Sequence, residues 1–331
     1  MSNTLKKVLI VLGVVGLMVG SRFIAGMDEI PPISIAPEVV FRVAGYPVTN
    51  SLLLTLLADV LLVGLAFVAT RKLRNGEGLV PRGLQNFAEM SVEGIYNLCR
   101  SVDRRNVDRF FAIAATIFFF VLFSNWLALL PGMGSIGVCR THEQALVNPV
   151  HLEEQPVESP LEGAAPGEHT AEEHAAGPCG VDDEGHELVL VPLFRSPSAD
   201  LNMTLALALI SFFVTEYFGF KAFGLGYLGK FFNFKEGPIM AGVGILELIS
   251  EFVRIIAFTF RLFGNIFAGE VVLLVMAFLL PWLLPLPFYG FEVFVGFIQA
   301  FIFMILTVAF IAMALTPHHP HGEVHEHPTP S

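Results

Sequence analysis

Charge is scarce in this chain. Only 15% of its 331 residues are Asp, Glu, Lys or Arg, against about 25% in a soluble domain. That shortage excludes an ordinary water-soluble globule. Basic residues are scarcer still, with 19 Lys and Arg against 30 Asp and Glu, for a net charge of −11. Nothing basic enough to grip a nucleic acid is present. There are three cysteines. Cys99 falls on a predicted amphipathic helix and reads as a small apolar filler. Cys139 and Cys179 both fall in an acidic segment. They are a candidate disulfide if that segment faces an oxidising compartment, and two free thiols otherwise.

What the chain has instead is apolar surface. It is 54% hydrophobic with 32 Phe, and its mean hydropathy is +0.67. The expected class is an all-α polytopic membrane protein. Residues 1–30 hold an apolar run, Val8–Ile24, behind Lys6 and Lys7; it reads as a retained transmembrane helix, with a signal segment as the alternative. Residues 31–130 follow. Pro31–Tyr46 is punctuated by proline and expected at the surface. Ser51–Ala69 is the first strong span, closed by Arg71, Lys72 and Arg74. Within 83–100, Leu84, Phe87, Ala88, Ile95 and Leu98 share one face, the spacing of a helix lying in the interface. Arg100, Arg104, Arg105 and Arg109 come next. Phe110–Leu130 is a full span, with Trp126 as an interface anchor near its end.

Residues 131–197 form an acidic loop rich in Pro, Gly and His, too polar to build a core. Residues 198–316 hold the remaining spans: Leu201–Phe220, a long run Ile239–Leu280, and Phe288–Leu315. The tail at 317–331 is polar, and His318, His319 and His321 make it His-rich; a disordered tail is expected over a metal site. Lys6, Lys7, the Arg71–Arg109 cluster and Lys221–Lys235 alternate with the acidic loop, Arg22 and Arg42 being isolated exceptions. The basic segments and the C-terminus are therefore expected on the cytoplasmic side, with the acidic loop outside.

The run Ile239–Leu280 is too long for its setting. At 1.5 Å per residue it reaches roughly 63 Å, whereas the hydrocarbon core is about 30 Å thick. A tilt of about 20° does not absorb the excess, so the helix is expected to lie strongly inclined or to kink. Glu247, Glu251, Arg254, Arg261 and Asn265 follow one another at helical spacing and fall on one face. Glu270 lies nine residues past Arg261, about half a turn away. Glu292 and Gln299 share a face of the last helix.

Each polar position has a structural reading. Interfacial ion pairing suits Glu247, Glu251 and Arg254. Gln299 can bond a neighbouring helix. Asp59 is expected to make an interhelical hydrogen bond, and Glu216 to reach headgroup water. Arg261 is different. Its guanidinium stays charged, because its pKa exceeds about 12, and a charge at bilayer depth costs at least ~2.5–3.5 kcal/mol. A salt bridge to Glu270 or Glu292 that only holds the hairpin together is one account; a functional charge is the stronger one. A nucleotide site is not supported. Gly224–Lys230 has phosphate-loop spacing, but Phe231 stands where the Mg²⁺-binding hydroxyl belongs, and the segment follows a transmembrane helix rather than a strand.

The stretch Phe260-Arg261-Leu262-Phe263-Gly264-Asn265-Ile266-Phe267-Ala268-Gly269-Glu270 resembles the signature of the a subunit of F-type ATP synthase, its membrane stator. So do Ile33–Glu38, Ser124-Asn125-Trp126 with Leu130-Pro131-Gly132, Ser198–Asn202, and Gln299–Met304, in order across roughly 33–315. The resemblance implies five family transmembrane helices, one interfacial helix and an inclined helix pair in the C-terminal half. The extra N-terminal helix and the long acidic loop depart from it. It implies that Arg261 faces a rotating ring of c subunits, and that Asn265, Glu270 and Gln299 line a half-channel open to the outside. By the same resemblance Glu247 belongs to the cytoplasmic half-channel, and Asp200, with Asn202, sits at the outer mouth. Glu292 departs from relatives that carry His there. Expected partners are the c ring, b-type peripheral stalk subunits, the other ATP synthase subunits and the lipid bilayer, with no cofactor. The expected location is the bacterial plasma (inner) membrane. A secondary cation/proton transporter is the alternative, and an assembly scaffold a third reading.

Overall fold

The computed structural model describes residues 35–74, 83–134, 136–141, 188–224, 226–227, 238–279 and 284–316. The Val8–Ile24 helix, Cys179, the acidic stretch 142–187 and the His-rich tail lie outside the described residues. Six α-helices dominate the described residues: α1 (Asn50–Arg74), α2 (Leu84–Val102), α3 (Val107–Ala128), α4 (Leu201–Phe223), α5 (Pro238–Leu279) and α6 (Pro285–Ala314). All but α2 are long and apolar enough to cross a membrane. The chain is thus a polytopic α-helical membrane protein. Two short antiparallel hairpins accompany the helices: β1 (Val39–Val43) with β2 (Tyr46–Thr49), and β3 (Gly137–Thr141) with β4 (Leu188–Pro192).

The contacts divide the chain into two compact units. Of the described residues, one gathers those up to Leu61 and those within Phe123–Asp200 and Ile266–Phe294, and the other those within Leu62–Leu122, Leu201–Asn265 and from Val295 on. Both hairpins belong to the first unit. Ala44 and Gly45 turn the β1–β2 hairpin with φ of 50° and 87°, the sign pattern that matches the twist of paired strands. Val39 and Val40 are buried at 0% and 2% exposure. The proline-rich segment is therefore not simply a surface strap, because Val39 and Val40 supply adjacent apolar side chains that the unit can cover. Thr49 caps α1, its Oγ1 accepting from Leu52 N–H at 3.3 Å. The Asn50 side chain ties the hairpin to the helix: its Oδ1 accepts from Glu38 N–H at 3.3 Å, and its Nδ2 donates to Glu38 Oε2 at 3.4 Å.

The acidic loop is also not uniformly solvated. Its ends pair in register from Gly137 against Pro192 to Thr141 against Leu188. Leu193 N–H extends the pairing to Ile136 O at 2.8 Å. Composition averaged over the loop hid the strand-forming Leu188–Pro192, which carries none of its acids. Cys139 on β3 is disulfide-bonded.

In the second unit, α2 matches its sequence-based bounds and buries Ile95 and Cys99. Cys99 packs on Met304 of α6, sulfur to sulfur 4.0 Å apart. Phe118 meets Phe297 edge-on at 5.9 Å, and Phe258 meets Phe303 at 4.9 Å. Ser211 of α4 and Thr307 of α6 share a buried hydrogen bond of 2.8 Å, the polar glue that serves where both lipid and side chains are apolar. Burial pushes the Cys99 thiol up to about 11. At pH 8 only roughly one part in a thousand is thiolate, the reactive form. Maleimide should therefore leave Cys99 unmodified in the folded chain and label it after denaturation; ready labelling of the native protein would contradict this packing.

Helix α5 runs unbroken for 42 residues, the length from which an inclined or kinked course is expected. It is also the least covered of the spans: only 11% of its apolar window is buried, against 44% for α3 and α6. Asp59 on α1 corrects an expectation. It is exposed and makes no hydrogen bond to another described residue, because the side chains on its turn of the helix, Leu56 and Val60, also point away from the unit at 53% and 69% exposure.

Candidate functional site

Polar side chains are expensive in apolar surroundings and are normally paired. The first unit holds an acidic group built from three elements. Glu270 projects from α5 and Glu292 from α6. Arg195 lies in the turn after β4, with Nε 3.3 Å from Glu270 Oε2. Its Nη1 donates to Ala36 O at 3.0 Å, and its guanidinium lies 5.9 Å from the Phe267 ring centre. The sequence offered Arg261 as Glu270's structural counter-ion; the cation found there is Arg195. A lone arginine just before the Ser198–Asn202 motif was the available signal, and the reading of residues 131–197 as solvent loop masked it.

Glu292 is buried, at 5% exposure. Its carboxylate fills the space beside Gly269 that a Cβ there would occupy. Gly269 thus serves a close approach between the two helices rather than a bend. Nearby in the same unit, Trp126 Nε1 donates to Val293 O at 3.1 Å.

Asp200, expected at an outer mouth, is only 4% exposed. It stands just before α4, where a carboxylate suits the helix dipole. Ser51 Oγ donates to its Oδ2 at 2.7 Å, and Thr49 Oγ1 lies 3.1 Å from Ser51 Oγ. Asn202 is exposed on the first turn of α4.

Removing Arg195 should leave the Glu270 carboxylate without this ion pair. Breaking a fully buried pair costs about 3–5 kcal/mol. Glu270 is 32% exposed, so solvent shares the burden and Arg195→Ala should cost about 1–3 kcal/mol. Thermal unfolding of the solubilised protein measures this. Glu270→Gln in the Arg195→Ala background should recover part of the loss, and strict additivity of the two changes would count against the contact.

The second unit holds the remaining candidates. Glu251 and Arg254 form a salt bridge of 2.7 Å, as the interfacial pairing reading expects, and Arg254 stacks 3.7 Å over the Phe310 ring. Tyr227 donates to Glu216 at 3.4 Å, so Glu216 has a protein partner rather than headgroup water alone. Burial and the charges of Glu216 and Glu251 raise the Tyr227 hydroxyl above its ordinary value, which keeps it a donor. Its ring packs so closely on Gly219 that a Cβ there would meet it at 2.6 Å. Glu247 is half-buried and Gln299 buried, at 7% exposure. Gln299 makes no hydrogen bond to another described residue.

Arg261 and Asn265 are both exposed. Arg261 forms neither a salt bridge nor a hydrogen bond with another described residue. Around it on α5, Phe260, Ile256 and Val253 are exposed at 58%, 56% and 55%. The stripe read from sequence is not uniform, since Glu251 is buried and Arg261 is not. Ten residues at 100° place them about 80° apart, at opposite edges of the stripe.

An α-helical membrane protein with an exposed arginine on its least covered span, and carboxylates buried on that span, on α6 and just before α4, belongs to the class that moves ions through the bilayer. The ATP synthase A chain family matches residues 52–312. An ATP synthase subunit a from Gloeobacter violaceus is 31% identical over 273 residues, covering 82% of this chain and 86% of that protein. One from Pelobacter propionicus, ATP synthase subunit a 3, is 32% identical over 268 residues, covering 80% and 87%. One from Campylobacter jejuni subsp. doylei is 30% identical over 263 residues, covering 78% and 86%. The chain belongs to the ATP synthase a subunit family, the proton-translocating stator component of the complex. The transporter alternative is not favoured.

Proposed function

We propose that this chain carries protons through two offset half-channels to and from carboxylates on a rotating c ring, and so couples the proton gradient to nucleotide chemistry on other subunits. The observation that carries the reading is Arg261: a permanent charge, exposed on α5 and without a counter-ion among the described residues. Such a residue calls for a partner from outside the chain. Passing ring carboxylates answer that need. An unpaired carboxylate in a low dielectric favours its neutral form, and an adjacent cation favours the charged one. A ring site therefore crosses lipid loaded and releases its proton near Arg261, which also repels protons that would leak straight through. A membrane potential supplies about 2.3 kcal/mol per charge per 100 mV and biases the direction.

In this scheme Glu270 and Glu292 relay protons on the outer side with Asn265 and Gln299, while Asp200 and Asn202 serve the outer entrance. Glu247 serves the cytoplasmic side. The length of α5 supports an inclined course along the outer wall of the ring. The Arg71–Arg109 cluster supports a cytoplasmic C-terminus in a bacterial inner membrane. A b-type stalk holds the chain against rotation, and no nucleotide binds here.

Reconstituted complexes test this. Proton uptake driven by ATP, dependent on both this chain and a co-purifying c ring, is the expected result. Complexes that assemble and hydrolyse ATP but whose pumping is indifferent to changes at Arg261 would remove the reading.

A further inference from the structure

The α2–α3 junction carries four arginines that the ion path does not use. Arg100 lies in the last turn of α2, Arg104 and Arg105 in the connecting turn, and Arg109 in the first turn of α3. All four are exposed, and none of their guanidiniums forms a salt bridge or hydrogen bond with another described residue. The two acids of the same stretch are committed elsewhere. Asp103 Oδ1 accepts from Arg105 N–H at 2.9 Å and Asn106 N–H at 3.2 Å, and its Oδ2 accepts from Asn106 Nδ2 at 2.8 Å. Asp108 Oδ1 accepts from the Tyr96 hydroxyl at 2.8 Å. The Tyr96 ring meets Phe111 edge-on at 5.1 Å. The junction is therefore a fixed turn: Asp103 binds the turn itself, Asp108 ties it to Tyr96 of α2, and the guanidiniums are left to solvent. Next to it α2 exposes Val102 at 39%, and toward its other end Phe87 and Met90 at 63% and 61%.

We propose that this junction binds the phosphate headgroups of anionic phospholipids, with Arg104 and Arg105 as the principal ligands and Arg100 and Arg109 flanking them, while α2 lies along the acyl boundary with Val102, Met90 and Phe87 toward the lipid. A guanidinium fork matches phosphate oxygens in pairs. Basic side chains beside an apolar helix face are the pattern of attraction to anionic lipid. An orientation signal alone needs only net positive charge. It would not require the acids to be withdrawn or the turn to be braced.

The test uses the full chain in its assembled complex, in phosphatidylcholine nanodiscs with a trace of photoreactive phosphatidylglycerol, and a parallel sample with photoreactive phosphatidylcholine. Crosslinks to residues 84–109 are quantified by peptide mass spectrometry. The anionic probe should label this stretch about tenfold more than the choline probe. Two arginines at about 1 kcal/mol each account for the whole preference, so Arg104→Gln/Arg105→Gln should bring anionic labelling down about tenfold to the choline level, and Arg104→Lys/Arg105→Lys should keep most of it. Equal labelling by the two probes, or no change in the glutamine variant, overturns the proposal. So does suppression by millimolar inorganic phosphate as strong as by excess phosphatidylglycerol, which would make this a free-anion site. Crosslinking of the stretch to an acidic segment of another subunit in place of lipid overturns it as well. Should the glutamine variant fail to assemble, ionic strength decides: wild-type labelling must fall as salt rises, and salt-independent labelling overturns it.

Discussion

Arg261→Ala is expected to reduce proton-coupled ATP synthesis to below roughly one hundredth of wild type. The magnitude follows from the environment. An ionised carboxylate at bilayer depth costs at least ~2.5–3.5 kcal/mol without a partner, and about 2.7 kcal/mol on a barrier is a hundredfold in rate. No described residue of this chain replaces the lost charge: Arg254 is paired with Glu251 and Arg195 with Glu270. Arg261→Lys should not restore coupling, because an ammonium is a compact, strongly hydrated charge whose pKa falls on burial, whereas the guanidinium stays charged. Glu270→Ala and Glu292→Ala should slow flux less, since water can substitute for a relay group but not for a fixed cation. ATP-driven quenching of a pH-sensitive dye in inverted vesicles ranks the variants. Equal losses from all three, or pumping that survives Arg261→Ala, would contradict the assignment.

The second large effect is expected at Gly269. A methyl group added there coincides with the Glu292 carboxylate, and neither the α5 backbone nor a buried charge moves freely. Gly269→Ala should therefore lower proton flux about tenfold, the cost of a barrier raised by about 1.4 kcal/mol. The diagnostic is the double variant. Glu292→Asp withdraws the carboxylate by one methylene, so Gly269→Ala/Glu292→Asp should recover flux relative to Gly269→Ala alone. Additive losses would mean that the two positions do not meet. A glycine kept for helix flexibility would tolerate alanine with little change in flux, so the single variant also separates clearance from bending.

Much of this was legible in the residues. Span positions follow from apolar runs, because a bilayer demands lengths that solvent-exposed sequence does not supply. The ends of α5 fell within two residues of their sequence-based bounds for the same reason, and those of α2 did so because its apolar residues recur on one face. The two hairpins were less legible. Val39 and Val40 sit among prolines, and Leu188–Pro192 follows a run of acids, so averaging over each segment concealed a few strand-forming residues. Asp59 was read as a helix-bonding group because a charge in a span usually finds one; nothing in a linear pattern says which side of α1 the unit covers.

The residues alone established a membrane protein of long helices, one of them too long to stand upright, with a fixed cation at Arg261, because hydropathy and charge are local properties of the chain. Tertiary structure decided which charges are answered. It brought Arg195 from a distant turn to Glu270, Ser51 to Asp200 and the Glu292 carboxylate to Gly269, and it left Arg261 exposed. Pairing between residues 75 or 149 positions apart depends on how helices pack, and no periodicity along one strand of sequence encodes that.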